Sequence, residues 1–262
     1  MSKHKFRDYE KSEDKVRQFY YRNRSYQTLE YVLSMEKKYS NTQEIEMDVW
    51  DALQHLNELV DISDPDTNLP QIQHALQTAE SIRKIYPEDK YDWLHLVSLI
   101  HDLGKFMGVH YKEPQWAVVG DTFPVGCDMS STCAFNQFFI QNPDFKIYNG
   151  DKYGIYKPNC GLRNVHMSWG HDEYLYRVCV RSNCKLPLAG LYIIRYHSFY
   201  PWHTGKDYMY LCDDTDLKML KWVQIFNKFD LYSKKDEKIN IEQVSSYYKK
   251  LIKKYFPEKL KF

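Results

Sequence analysis

Six side chains of metal-ligand type stand on apolar helical ground in this sequence: His74, His101, Asp102, His171, His197 and Asp230. The adjacent pair opens the run His101-Asp102-Leu103-Gly104-Lys105, directly after the apolar stretch Trp93-Leu94-His95-Leu96-Val97-Ser98-Leu99-Ile100. Imidazole and carboxylate together suit iron, manganese or zinc, and one carboxylate can bridge two ions. Six ligands exceed what one catalytic ion needs, because catalytic zinc takes three protein ligands and keeps a position open. The set therefore points to a pair of metals, and a metal pair points to an enzyme.

A lone histidine on an apolar helix face is more often a satisfied core histidine than a ligand. His4, His55, His95, His110, His166 and His203 are assigned to that ordinary class. Two adjacent polar side chains that close a strongly apolar helix are harder to dismiss. Asp230 lies within Trp222-Val223-Gln224-Ile225-Phe226-Asn227-Lys228-Phe229-Asp230-Leu231-Tyr232, where a carboxylate is costly to bury unless a cation or donors compensate it. The residues alone leave the identity of the metal open.

These ligands must be positioned by helices. Helical periodicity dominates the chain: residues 12–39 read as one long helix or two with a break near Asn23, and residues 44–60 as another. Turn-forming Asp, Asn and Pro residues fill 61–70. A helix carrying His74 then ends before Pro87, and the next spans 92–103, with Gly104 placed as its C-terminal cap. From about 105 to 165 the periodicity disappears, as in a functional cover or binding loop. Helices resume at about 169–183, 187–200, 214–232 and 241–255. One all-α domain over residues 1–262 is expected, a helical bundle whose core holds the ligands.

At 262 residues the chain can bury a core without disulfides or a structural metal. Its 36 basic and 35 acidic residues leave a formal charge of +1, which gives no electrostatic argument for nucleic acid or a membrane surface. No two of Cys127, Cys133, Cys160, Cys179, Cys184 and Cys212 form a C-x-x-C pair. The polar start Met1-Ser2-Lys3-His4-Lys5-Phe6-Arg7 lacks a signal-peptide core. A cytoplasmic monomer with reduced thiols is expected.

The order H…HD…H…H…D resembles the histidine-aspartate (HD) domain superfamily of metal-dependent helical enzymes. More narrowly, the chain resembles the myo-inositol oxygenase family. The matching segments are Phe6-Arg7-Asp8-Tyr9, Ser63-Asp64-Pro65-Asp66, His101 to Lys105, Glu113 to Cys127, Met167 to Tyr176, Tyr196 to His203 and Phe226 to Tyr232. HDLGK alone is shared with many phosphohydrolases; the runs at 113–127, 167–176 and 196–203 are long and specific.

The resemblance implies an HD-domain-like helical bundle whose long irregular loop region covers the active site. It also implies a mixed-valent Fe(II)/Fe(III) di-iron centre with O2 as co-substrate, opening the myo-inositol ring to D-glucuronate and water. One iron would take His74, His101, Asp102 and Asp230, and the second His171 and His197, with Asp102 bridging. The polyol would meet Arg7, Asp61, Ile62, Ser63, Lys105, Gly120, Asp121, His197 and Ser198. Ile62 departs from the acidic residue usual in the family, which leaves a backbone contact there. Lys105 and Asp102 would be the catalytic side chains, Lys105 stabilising a substrate alkoxide.

The residue types suit a neutral ring of hydroxyls, which needs directional donors and acceptors rather than a basic patch. An HD-type phosphohydrolase would use the same ligands with a non-redox ion, but it would want clustered cations, and only Lys105 and Lys112 lie near. A helical interaction module with core histidines is the third alternative.

Overall fold

Apolar residues at helical spacing form helices along most of the chain. The computed structural model describes residues 14–40, 45–59, 61, 70–232 and 238–262. Its helices are α1 (Asp14–Tyr26), α2 (Leu29–Lys38), α3 (Val49–His55), α4 (Gln71–Ile85), α5 (Asp92–Ile100), α6 (Phe106–His110), α7 (Phe145–Tyr148), α8 (His171–Arg181), α9 (Leu188–Tyr196), α10 (Tyr200–His203), α11 (Asp214–Tyr232) and α12 (Ile241–Tyr255). The two short strands β1 (Glu46–Met47) and β2 (Leu260–Lys261) pair antiparallel. The architecture is all-α.

α5 is predominantly apolar, and all nine of its residues, Asp92, His95 and Ser98 included, are buried, the mark of a helix at the centre of a core. α4, α9 and α12 pack around it, α8 lies against α9, and α11 spans α4 and α9. Every element that carries a ligand-type residue therefore belongs to this central group or borders it.

Several boundaries differ from the periodicity, each for a local reason. The break between α1 and α2 falls at Gln27-Thr28 rather than Asn23, because the Thr28 side chain accepts from Tyr31 N and caps α2. Asn23 instead stays helical and donates to the Trp116 carbonyl at 2.8 Å. The expected helix over 44–60 starts only at Val49, capped by Asp48, because the backbone before it pairs with the C-terminal strand. The expected helix over 187–200 stops at Tyr196. Pro201 has no N–H and is tolerated only in a first helical turn, so it begins the separate α10.

Gly104 is not the left-handed cap expected from its position: it lies inside a 3-10 turn, Leu103–Lys105, and is not among the positive-φ residues. What requires glycine there is proximity. A Cβ at position 104 would fall inside the van der Waals radius of the His171 backbone carbonyl, so the start of α8 sits directly on the HD turn.

The segment from 106 to 165 holds only short helices and turns, yet much of it is buried, including Val118, Val119, Phe123, Val125 and Cys127. Arg24 of α1 pins it. This fully buried guanidinium donates to the carbonyls of Asp121 at 3.1 Å and Ala134 at 3.0 Å, and lies over the rings of Tyr20, Phe123 and Phe139. Residues 118–125 run antiparallel to 166–171 through His171 N→Val118 O, Ser168 N→Phe123 O and Val125 N→His166 O. All six cysteines are free thiols, and no helix among the described residues is long and apolar enough to cross a membrane.

Gly104→Ala is expected to destabilise the protein by about 3 kcal/mol, the upper range for overpacking a closed contact. At this chain length that lowers Tm by roughly 6–12 °C. A thermal unfolding curve within 1 °C of the parent would show that the HD turn and α8 can separate at no cost.

Candidate metal centre

The site is built from helix ends. The last turn of an α-helix leaves carbonyls without intrahelical partners, and at two such ends a histidine fills that vacancy. His101 follows α5 and its Nδ1 donates to the Ser98 carbonyl at 2.8 Å. His197 follows α9 and its Nδ1 lies 3.2 Å from the carbonyls of Ile193 and Ile194. At the start of α8, His171 Nδ1 donates to the Val118 carbonyl at 2.8 Å, across the extended pairing described above. A carbonyl can only accept, so each of these Nδ1 atoms carries the proton, and each neutral ring presents Nε2 as a bare lone pair.

Those Nε2 atoms converge. His171 Nε2 lies 3.1 Å from His197 Nε2 and 3.2 Å from Asp102 Oδ1; His197 Nε2 is 3.8 Å from the same oxygen. On the other side of Asp102, its Oδ2 lies 3.4 Å from His101 Nε2. Asp230 Oδ1, in the last turn of α11, sits 3.0 Å from His74 Nε2 and 3.4 Å from His101 Nε2. Two groups able to hold an ion result: His74, His101 and Asp102, and Asp102, His171 and His197. Asp102 belongs to both, presenting one oxygen to each side.

Lone pairs facing lone pairs across buried space repel unless a cation or a proton stands between them. The donor set fits a metal ion on this ground: in His101, His171 and His197 a neutral imidazole has its second nitrogen fixed by a carbonyl, and with the neighbouring carboxylates that is the usual arrangement of metal-bound histidine. Without an ion, protons must fill the role. Burial opposes the charging of His101 and His171, but the carboxylates outweigh it: Asp102 and Asp230 push His101 up to about 10, and Asp172 and Asp102 push His171 up to about 10. Asp102 and Asp230 are in turn held well below the usual carboxylate range, against burial, by Lys105 and His101 for the first and by His101 and His74 for the second.

Beside this cluster lies a polar annex. Lys105 is buried and donates to Asp102 Oδ2 at 2.9 Å, Asp61 Oδ2 at 2.8 Å and Gln71 Oε1 at 3.2 Å. Burial lowers the affinity of its amine for the proton, yet Asp102 and Asp61 raise it above its ordinary value, so Lys105 stays an ammonium. Thr122 N donates to the Ser198 carbonyl at 3.0 Å, which joins Gly120 and Asp121 to the turn after His197. Gly120 takes a positive φ of 92°, a conformation that glycine adopts without strain. Arg7, Ile62 and Ser63 lie outside the described residues.

Two polar residues that the sequence did not single out belong here. Gln71, the first residue of α4, is the third partner of Lys105. Asp172, 1 % exposed, accepts from both Ser198 N and Ser198 Oγ at 3.0 Å. The signal for Asp172 was present as a second His-Asp pair, His171-Asp172. By contrast His95 is a core histidine as assigned, with Nδ1 2.7 Å from Tyr247 Oη and Nε2 2.7 Å from the Tyr86 carbonyl. His203 bonds the His197 carbonyl at 2.9 Å and so supports a cluster residue from outside.

Comparison with known proteins agrees with this geometry. The family model described as myo-inositol oxygenase matches residues 13–262. An inositol oxygenase of Dictyostelium discoideum is 54% identical over 97% of this chain and 89% of its own length. Inositol oxygenase 4 of Arabidopsis thaliana is 49% identical over 98% and 82%, and the inositol oxygenase of Mus musculus 48% over 98% and 90%. With the family model matched across nearly the whole chain, and relatives at about half identity covered almost end to end, this protein belongs to the myo-inositol oxygenase family of enzymes.

Proposed function

We propose that this protein opens the ring of myo-inositol with O2, giving D-glucuronate and water, at a centre of two iron ions that share Asp102. The observation that carries the proposal is the double-sided Asp102, with His74, His101 and Asp230 on one flank and His171 and His197 on the other. Ring opening removes four electrons from the polyol, matching full reduction of one O2, and zinc has no second oxidation state with which to support it. When bound, mixed-valent iron supplies the electron transfer to O2 and Lewis acidity toward the polyol hydroxyls.

The chain's own residues then do the binding and orienting. His74, His101, Asp102 and Asp230 would hold the first ion, and Asp102, His171 and His197 the second, with the carbonyl-bound Nδ1 atoms of His101, His171 and His197 fixing those rings. Lys105 keeps its proton because Asp102 and Asp61 favour the charged form, so it serves as a fixed positive charge and not as a base. An ammonium in a buried site stabilises negative charge developing on a substrate oxygen far better than water does. Asp61 and Asp121 offer acceptors to hydroxyl protons and Ser198 completes the wall. Arg7, Ile62 and Ser63 enter by family resemblance. Such a set of directional partners discriminates strongly against polyols lacking one hydroxyl, because its own polar groups are then left unpaired.

The direct test is glucuronate formation from myo-inositol under air, with iron and a mild reductant present. Turnover together with about two irons per chain is expected; phosphatase turnover with zinc or manganese would assign a hydrolase instead. Lys105→Ala is expected to retain iron but lose at least roughly 100-fold in kcat, the usual scale for removing one electrostatic stabiliser. Near-normal glucuronate production would remove Lys105 from catalysis. Loading the metal-free protein at pH 7 in weak buffer is expected to release on the order of two protons per chain, since His101 and His171 hold protons when no ion is bound. Ion uptake with no proton release would contradict that electrostatic picture.

A further inference from the structure

The strongest unassigned group is Asp172. It is a fully buried carboxylate on the first turn of α8, beside His171 in sequence, and the contacts that assign the cluster do not use it. Its Oδ1 lies 3.0 Å from His171 Nε2 and accepts from Ser198 Oγ at 3.0 Å. Its Oδ2 accepts from Ser198 N at 3.0 Å and lies 3.5 Å from His197 Nδ1. One side chain therefore touches both imidazoles of the second flank and both donors of Ser198.

Two features separate this from an ordinary structural aspartate. His171 Nδ1 is committed to the Val118 carbonyl, so in the neutral imidazole Asp172 Oδ1 faces the Nε2 lone pair and not a hydrogen. That juxtaposition becomes favourable when a cation occupies the His171–His197 flank. The Ser198 hydroxyl proton is also committed to Asp172, which leaves Ser198 Oγ to act toward the pocket as an acceptor.

The geometry points to Asp172 as a positioning residue for the second metal ion: it locks the His197-Ser198 turn to His171 and adds a negative charge to the one this flank receives from the shared Asp102. The inference rests on the two-ion centre proposed above and extends it, by naming what distinguishes the second flank from the first. Outer partners of metal ligands are worth roughly 10–100-fold in metal affinity, and that is the scale expected here.

The experiment is an anaerobic calorimetric titration of the metal-free full-length chain with Fe(II) alone, comparing the parent with Asp172→Asn. The parent is expected to bind two equivalents. Asp172→Asn is expected to bind the first as the parent does and the second roughly tenfold or more weakly. Both steps within twofold of the parent would overturn the assignment, as would equal weakening of both, which marks a general loss of structure. A parent that binds fewer than two ions overturns the two-ion centre itself, and this inference with it. Should Asp172→Asn fail to fold by circular dichroism, Ser198→Ala decides: a second step about threefold weaker, with the first unchanged, supports the role, and two parent-like steps overturn it.

Discussion

Bare imidazole nitrogens and carboxylate oxygens cannot face one another in a dry interior unless positive charge lies between them. In this protein that constraint is imposed from outside the cluster. Backbone carbonyls at Ser98, Val118 and the last turn of α9 take the Nδ1 protons, and the Nε2 lone pairs are left to converge on Asp102. For His171 the extended segment around Val118 supplies the carbonyl; for His101 and His197 the helices do, because their ends leave some without intrahelical partners. Capping a helix and aiming a ligand are the same hydrogen bond here.

The rest of the molecule is arranged so that those ends meet. α5, buried on all sides, sets His101 and Asp102 at its C-terminal end at a fixed depth. The close approach at Gly104 seats the start of α8 on the HD turn, and Pro201 ends α9 early enough for His197 and Ser198 to form a turn instead of continuing a helix. The aperiodic stretch from 106 to 165, held by the buried Arg24, presents Val118 to His171 and Thr122 to Ser198. A segment without helical periodicity thus supplies two of the hydrogen bonds on which the second flank depends.

The ligand-type residues were legible because they stand on apolar helices, where a polar side chain demands explanation. So were the all-helical class and the core role of His95. The carbonyl partner of His171 was not, because Val118 and His171 are far apart in the chain and meet only through an extended pairing that no period announces. Gln71 and Asp172 escaped for a similar reason: each acts on a neighbour across the fold, Lys105 and Ser198, and neither spacing reveals it. The glycine of the HD turn shows the opposite failure. Its position fitted a left-handed cap, while the actual demand is room for the His171 carbonyl.

Shared ownership of Asp102 is the claim on which all of this turns, and X-ray diffraction from crystals of the iron-loaded protein, recorded at the iron absorption edge, tests it most directly. Two anomalous peaks are predicted, about 3.5–4 Å apart as in other two-metal sites, one on each side of the Asp102 carboxylate. A single peak, or a second peak remote from Asp102, would contradict the account.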